Sequence, residues 1–134
     1  MKRSIIVFLA LLVISNYAFS QHNLEIEITG IKNDEGNIML QLFDEKENVV
    51  NQGMGAIKDK KCTISFKNLK PAKYAIRYFH DENKNEVLDT NTLGIPKEGY
   101  GFSNNARGRF GPPSFEKWLF ELNENKKIEL KPVY

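Results

Sequence analysis

From Leu24 onward, apolar side chains recur at every second position in one run after another, and a chain patterned this way must bury one face of extended strands. Leu24, Ile26 and Ile28 alternate with Glu25, Glu27 and Thr29. Ile38, Leu40 and Leu42 repeat the pattern up to Phe43, and Cys62, Ile64 and Phe66 repeat it again. Successive side chains of a strand point to opposite faces, so each run describes a strand half buried against a core. Ala75 to His80, then Trp118, Phe120 and Leu122, then Ile128, Leu130 and Pro132 supply further runs. Val49 to Ile57 is weaker, and its Gly53 and Gly55 suit a bulged or edge strand. No segment carries the 3.6-residue period of an amphipathic helix, so the expected fold is all-β: an antiparallel β-sandwich of about seven strands.

The connections refine this reading. Asn33-Asp34-Glu35-Gly36 is a turn signal and is expected to join the first two strands as a hairpin. Asp44 to Asn48 and Lys58-Asp59-Lys60 are polar turns. Leu69-Lys70-Pro71-Ala72-Lys73-Tyr74 has the form Leu-x-Pro-x-x-Tyr, in which the tyrosine hydroxyl ties back to the backbone before it. Such a corner belongs to Greek-key, Ig-like sandwiches.

The N-terminus is of a different kind. Lys2 and Arg3 precede an apolar run from Ile5 to Ile14, and Ala18-Phe19-Ser20 offers a small-residue cleavage site before Gln21. These are the three parts of a secretion signal, and the run is well short of the roughly 20 apolar residues that span a bilayer. Residues 1–20 are expected to be a cleaved signal peptide and 21–134 a single β-sandwich domain, exported to the periplasm or beyond the cell, with no membrane span after cleavage. Cleavage removes two of the 19 basic residues and leaves 17 against 17 acidic ones. The full-chain isoelectric point of 8.6 therefore lends no support to nucleic-acid binding, which needs a net basic surface. Cys62 is the sole cysteine, so no intrachain disulfide forms; it shares the apolar face of Ile64 and Phe66 and is expected to be a buried thiol.

Between Asp81 and Ser114 the periodicity lapses, and a long irregular stretch rich in aromatics inside a compact domain is expected to be ordered and functional. Its first part, His80-Asp81-Glu82-Asn83-Lys84-Asn85-Glu86-Val87-Leu88-Asp89, sets Asp81, Asn83, Asn85, the Val87 carbonyl and Asp89 at alternating positions, as in a calcium loop. Glu86 stands where such loops turn on glycine, and Thr92 stands where a bidentate glutamate would close them; Glu98 is the candidate closing carboxylate. Two readings fit: a weak Ca2+ site of the extracellular kind, with a dissociation constant of about 10⁻⁴ to 10⁻³ M, or a turn in which Asp and Asn bond their own backbone. The second part, Leu93 to Phe115, gathers glycines, aromatics and two arginines. Tyr100, Asn104, Arg107 and Arg109 are candidate ligand contacts, while Tyr100, Phe102, Phe110 and Phe115 are expected to fold inward and plug one end of the sandwich. No nucleophile elbow, zinc-protease motif or phosphate loop occurs, and His80 beside Asp81 is the one candidate acid-base pair for a hydrolase.

Three runs, His80-Asp81-Glu82-Asn83-Lys84-Asn85, Gly94-Ile95-Pro96-Lys97-Glu98-Gly99-Tyr100-Gly101-Phe102-Ser103-Asn104-Asn105 and Phe110-Gly111-Pro112-Pro113-Ser114-Phe115, resemble the signature of the small secreted bacterial proteins grouped as domain of unknown function 2141. The resemblance covers nearly all of the chain after the signal. It implies a prealbumin-like or carboxypeptidase-regulatory-like β-sandwich and carries no activity with it. Where the family typically has glycines in the acidic loop, this chain has Lys84 and Glu86. Two functional classes stand: a non-enzymatic binding module for a cell-surface or periplasmic protein or glycan, or a structural cell-envelope protein without a bound ion.

Overall fold

The computed structural model of the chain describes residues 20–134, so the expected signal peptide lies, except for Ser20, outside the described residues. Among the described residues eight strands form: β1 (His22–Ile28), β2 (Asn37–Asp44), β3 (Val49–Ala56), β4 (Cys62–Leu69), β5 (Ala72–Asp81), β6 (Tyr100–Phe102), β7 (Phe120–Leu122) and β8 (Lys126–Leu130). They make a three-stranded sheet in the order β4-β1-β8 and a second sheet in the order β3-β2-β5-β6, with β7 also paired to β5. The alternating residues read from the sequence face inward from both sheets: Leu24, Ile26 and Ile28 from β1, Ile38, Leu40 and Leu42 from β2, Ile64 and Phe66 from β4, and Ile76 and Tyr78 from β5 share one core with Leu122 and Leu130. At about 1.5–3 kcal/mol for each large apolar side chain fully buried, this core is the chief stabilising term. Cys62 lies within it at 3% exposure, and burial pushes its thiol up to about 11. Tyr74 makes the expected corner, its hydroxyl donating to the Lys70 carbonyl at 2.7 Å.

Two topological expectations fail. β1 and β2 belong to different sheets, so Asn33–Gly36 is a crossing between sheets and not a hairpin turn. The inward alternation of β1 is satisfied equally well by β4 and β8 as neighbours, which a period-2 pattern cannot distinguish from β2. The arrangement is also not purely antiparallel: β8 runs parallel to β1, from Leu24 opposite Lys126 to Ile28 opposite Leu130. The chain reaches β8 by crossing over from β7 in the other sheet, so a hairpin does not set its direction. β3 is an edge strand as expected, with a register shift opposite Leu42/Phe43. Its Gly53 and Gly55 sit against the side chains of Ile64 and Cys62 on β4, where a Cβ would not fit.

β5 is the longest strand, and one of its edges is shared by two short strands. β6 pairs with Arg77–Phe79 and β7 with Ala72–Tyr74. In the gap between them the Ile76 N–H donates to the hydroxyl of Ser103 at 2.9 Å, and that hydroxyl donates onward to the Trp118 carbonyl at 2.5 Å. Ser103 is fully buried. Asn104 and Asn105 follow it in the left-handed region, at φ 60 and φ 49, which Asn tolerates better than most residues. The Asn104 amide donates to the carbonyls of Lys117 and Leu119, at 3.1 and 2.8 Å, and the Asn105 carbonyl oxygen accepts from the Lys131 N–H at 3.0 Å. Three consecutive polar residues thus tie β6 to β5, to the approach to β7 and to the end of β8.

The segment from Ser103 to Leu119 folds over the outer face of the second sheet. There Phe43, Ala75, Phe102 and Trp118 form a second buried cluster with Phe115 and Leu119 packed against it. The Phe102 and Trp118 rings lie 4.5 Å apart, and the Trp118 indole N–H donates to the Pro113 carbonyl at 3.1 Å. The expected aromatic plug is corrected here: Phe102 and Phe115 pack outside the sandwich and not in its end, Tyr100 is half-buried, and Phe110 is 97% exposed.

Ser103→Ala strips the Ile76 N–H and the Trp118 carbonyl of their partner, and is expected to lower unfolding free energy by about 1–3 kcal/mol. Phe110→Ala is expected to change it by less than about 0.5 kcal/mol. Urea unfolding of both variants, followed by tryptophan fluorescence, checks the pair.

Candidate functional site

The irregular stretch builds two neighbouring features, a closed acidic loop and an open groove. The loop leaves the end of β5 at Asp81, which is 1% exposed. One Asp81 carboxylate oxygen accepts from the Asn85 N–H at 3.1 Å and the other from the Glu86 N–H at 2.8 Å. Asn85 in turn accepts from the Val87 N–H at 3.0 Å. The Asp89 carboxylate is met by the side-chain amides of Asn83, at 2.6 Å, and Asn85, at 3.0 and 3.1 Å. Glu98, 5% exposed, closes the loop from the far side by accepting from the N–H groups of Glu82 and Asp89, both at 3.0 Å.

Glu98 does close the loop, but the side-chain oxygens of Asp81, Asn83, Asn85, Asp89 and Glu98 all accept from N–H groups of the loop itself. Val87 contributes its N–H, and its side chain is exposed. Among the described residues no group of three or more His, Cys, Asp or Glu side chains stands close enough together to hold a metal ion. The backbone nevertheless makes the sharp turn of a calcium loop without its glycine: Lys84 and Glu86 both take the left-handed conformation, at φ 59 and φ 63. That conformation costs a residue with a Cβ about 1–2 kcal/mol.

His80 stands one residue before the end of β5. It is fully buried, with Nε2 2.6 Å from the Glu35 carbonyl and Nδ1 2.8 Å from the Tyr134 hydroxyl. A carbonyl only accepts, so Nε2 donates to it; in the neutral ring Nδ1 then accepts from the Tyr134 hydroxyl, which itself accepts from the Lys32 N–H at 3.0 Å. Both nitrogens of the candidate hydrolase base are engaged within the fold. Gly99 packs under the Tyr134 ring, where a side chain would not fit.

Beside the loop, the uncovered half of the outer sheet face forms a groove of about 770 Å³. Cross-strand pairing aligns Met54, Met39, Phe79 and Tyr100 in one row, and Gln52, Gln41, Arg77 and Phe102 in the next. Val87 and Leu88 of the acidic loop form a wall. The Arg77 guanidinium is held on this floor, donating to the Gln41 side-chain oxygen at 2.5 Å and lying 5.3 Å from the centre of the Phe43 ring. An apolar floor with a few fixed polar groups, in a volume of this order, is the make-up of a ligand site.

Of the four sequence-predicted contacts, only Tyr100 lines the groove. The Asn104 side-chain amide donates to two backbone carbonyls at an exposed position outside the groove. Arg107 and Arg109 are exposed, the latter lying 5.7 Å from the centre of the exposed Phe110 ring. The groove residues Met39, Arg77 and Phe79 were missed because they belong to strands and not to the loop. Their signal is a break in alternation: Ile38-Met39-Leu40, Leu42-Phe43 and Tyr78-Phe79 put bulky side chains on both faces of β2 and β5.

Glu86→Gly relieves a left-handed glutamate while adding freedom to the unfolded chain. A net stabilisation of about 0.5–1 kcal/mol is expected, read as a rise in the urea midpoint with an unchanged denaturant slope.

No helix among the described residues is long and apolar enough to cross a membrane. Neither the curated proteins nor the solved structures contain a match to this chain. A family model does match, over residues 26–129, a span that runs from β1 through the loop and groove to β8. The chain belongs to the bacterial family described as "Uncharacterized protein conserved in bacteria (DUF2141)".

Proposed function

We propose that this chain is an exported, non-catalytic binding module that holds a segment of a cell-surface or periplasmic protein, or a glycan, in the groove on the outer face of its second sheet. The observation that carries the reading is the groove floor, where Met39, Phe79 and Tyr100 give apolar surface and Arg77 gives a clamped, planar donor. Such a floor stacks against rings and aliphatic chains while fixing one polar group of the ligand. Export is supported by the signal-like N-terminus and by Cys62, whose buried, un-ionised thiol suits an oxidising compartment. The inter-sheet tyrosine corner supports reading the two sheets as a Greek-key, prealbumin-like sandwich.

Peptide and bacterial cell-surface glycan arrays probed with the chain from Gln21 test this reading. Bound ligands are expected to be lost, by tenfold or more in affinity, in Met39→Lys and Arg77→Ala, with the thermal midpoint of each variant within about 3 °C of the parent. A chain that binds nothing on either array, or binds equally well in both variants, overturns the groove as the contact face and leaves the structural-envelope reading.

A second reading concerns the acidic loop, and the sharp turn at Glu86 favours it: a weak Ca2+ site in which Asp81, Asn83, Asn85, the Val87 carbonyl, Asp89 and Glu98 turn from loop N–H groups to the ion. Calcium at about 100 times its dissociation constant stabilises a folded chain by about 2.7 kcal/mol. A thermal midpoint that rises with calcium over EDTA in the parent, and not in Asp81→Ala combined with Asp89→Ala, establishes the ion site. Identical midpoints in EDTA and calcium make the loop a self-closed clasp.

A further inference from the structure

β3 ends the second sheet and pairs on one side only, with β2. Its other neighbour, β4, meets it through side chains, at Gly53 and Gly55, and not through a backbone ladder. An unpaired edge is a template for another strand, and folded proteins usually blunt such edges with lysine, proline, a bulge or short length. β3 has only the bulge, at Val50 near its start. It runs eight residues, Val-Val-Asn-Gln-Gly-Met-Gly-Ala, without a charge or a proline, and leaves Val49, Val50 and Met54 between 48% and 60% exposed.

The two turns that flank this edge are charged, with opposite sign. Asp44-Glu45-Lys46-Glu47 before it carries three acidic residues and one basic; Lys58-Asp59-Lys60-Lys61 after it carries three basic and one acidic. Asp34, whose carboxylate accepts from the Asp59 and Lys60 N–H groups, leaves the second turn net positive. Glu45, Glu47, Lys58 and Lys60 are exposed, and none of them is in an ion pair among the described residues.

We infer that β3 is a homodimer edge: a second copy of this chain adds its own β3 antiparallel to the first about a twofold axis perpendicular to the sheet. The antiparallel sense follows from the charges. It sets the acidic turn of each copy beside the basic turn of the other, twice over, whereas a parallel strand would set like against like. The bulge at Val50 leaves Asn51–Ala56 as the regular stretch that forms the new ladder. A twofold axis of this kind keeps like faces together, so the two grooves lie side by side on one continuous sheet.

Sedimentation velocity on the chain from Gln21, which holds all eight strands, tests the inference. The parent is expected to pass reversibly from monomer to dimer with concentration, and to dissociate more readily as salt rises, because the contributing charges are exposed. Lys58→Glu combined with Lys60→Glu is expected to weaken the dimer tenfold or more. Adding Glu45→Lys and Glu47→Lys to that variant, which swaps both ends and restores the match, is expected to bring it back to within about threefold of the parent. The amides of Asn51–Ala56 are expected to gain protection from hydrogen exchange as the dimer forms. A chain that stays monomeric throughout overturns the proposal, as does a dimer indifferent to the reversal or one that leaves those amides unprotected. Thermal midpoints near the parent value show that the variants are folded when they are read.

Discussion

One buried hydroxyl holds the outer half of this molecule in place. Where β6 stops and β7 has not begun, the Ile76 N–H of β5 would lack a partner, and the Ser103 hydroxyl takes that role while donating its own hydrogen bond to the Trp118 carbonyl. The position of Trp118 fixes the second aromatic cluster, and that cluster covers half of the outer sheet face. The half it leaves uncovered is the groove. The groove thus owes its boundary to a side chain that never touches it, and the two asparagines after Ser103 keep that boundary rigid by bonding backbone on either side.

The acidic loop follows a different economy. Its carboxylates and amides accept from the N–H groups of Glu82, Asn85, Glu86, Val87 and Asp89, and this network holds Lys84 and Glu86 in a conformation that side chains disfavour. The loop also holds Val87 and Leu88 as one wall of the groove. Its conformation therefore bears on the groove's width, and any ion or variant that alters the loop acts on the groove through that wall.

Much of the fold was legible because the inward faces of β1, β2, β4 and β5 obey a strict two-residue period, and because the Leu69 to Tyr74 corner has a sequence form of its own. Strand neighbours were not legible. Alternation states which face is buried but not against what, so the crossing at Asn33–Gly36 read as a hairpin and the parallel β1–β8 pair read as antiparallel. An acidic loop whose Asp and Asn side chains bond their own backbone was legible as one of two readings, whereas the direction in which their oxygens point depends on which N–H groups the backbone presents. Phe110 was misjudged because composition alone sent inward an aromatic that the Gly108–Pro112 segment leaves in solvent, and the hold of the Lys117 and Leu119 carbonyls on Asn104 left no mark in the sequence.

The parallel pairing of β1 with β8 also bears on how the chain acquires its structure. The central strand of the three-stranded sheet needs residues 126–130, about a hundred positions away, before one of its two edges is covered. Contacts of such separation form slowly, since the ends of a long loop must meet before any burial rewards the encounter. An emerging chain can form the β2–β3 and β2–β5 ladders early but cannot close its first sheet until the last strand is free. The order of assembly is thus set by the parallel pair: the second sheet can form first, and β8 completes the core.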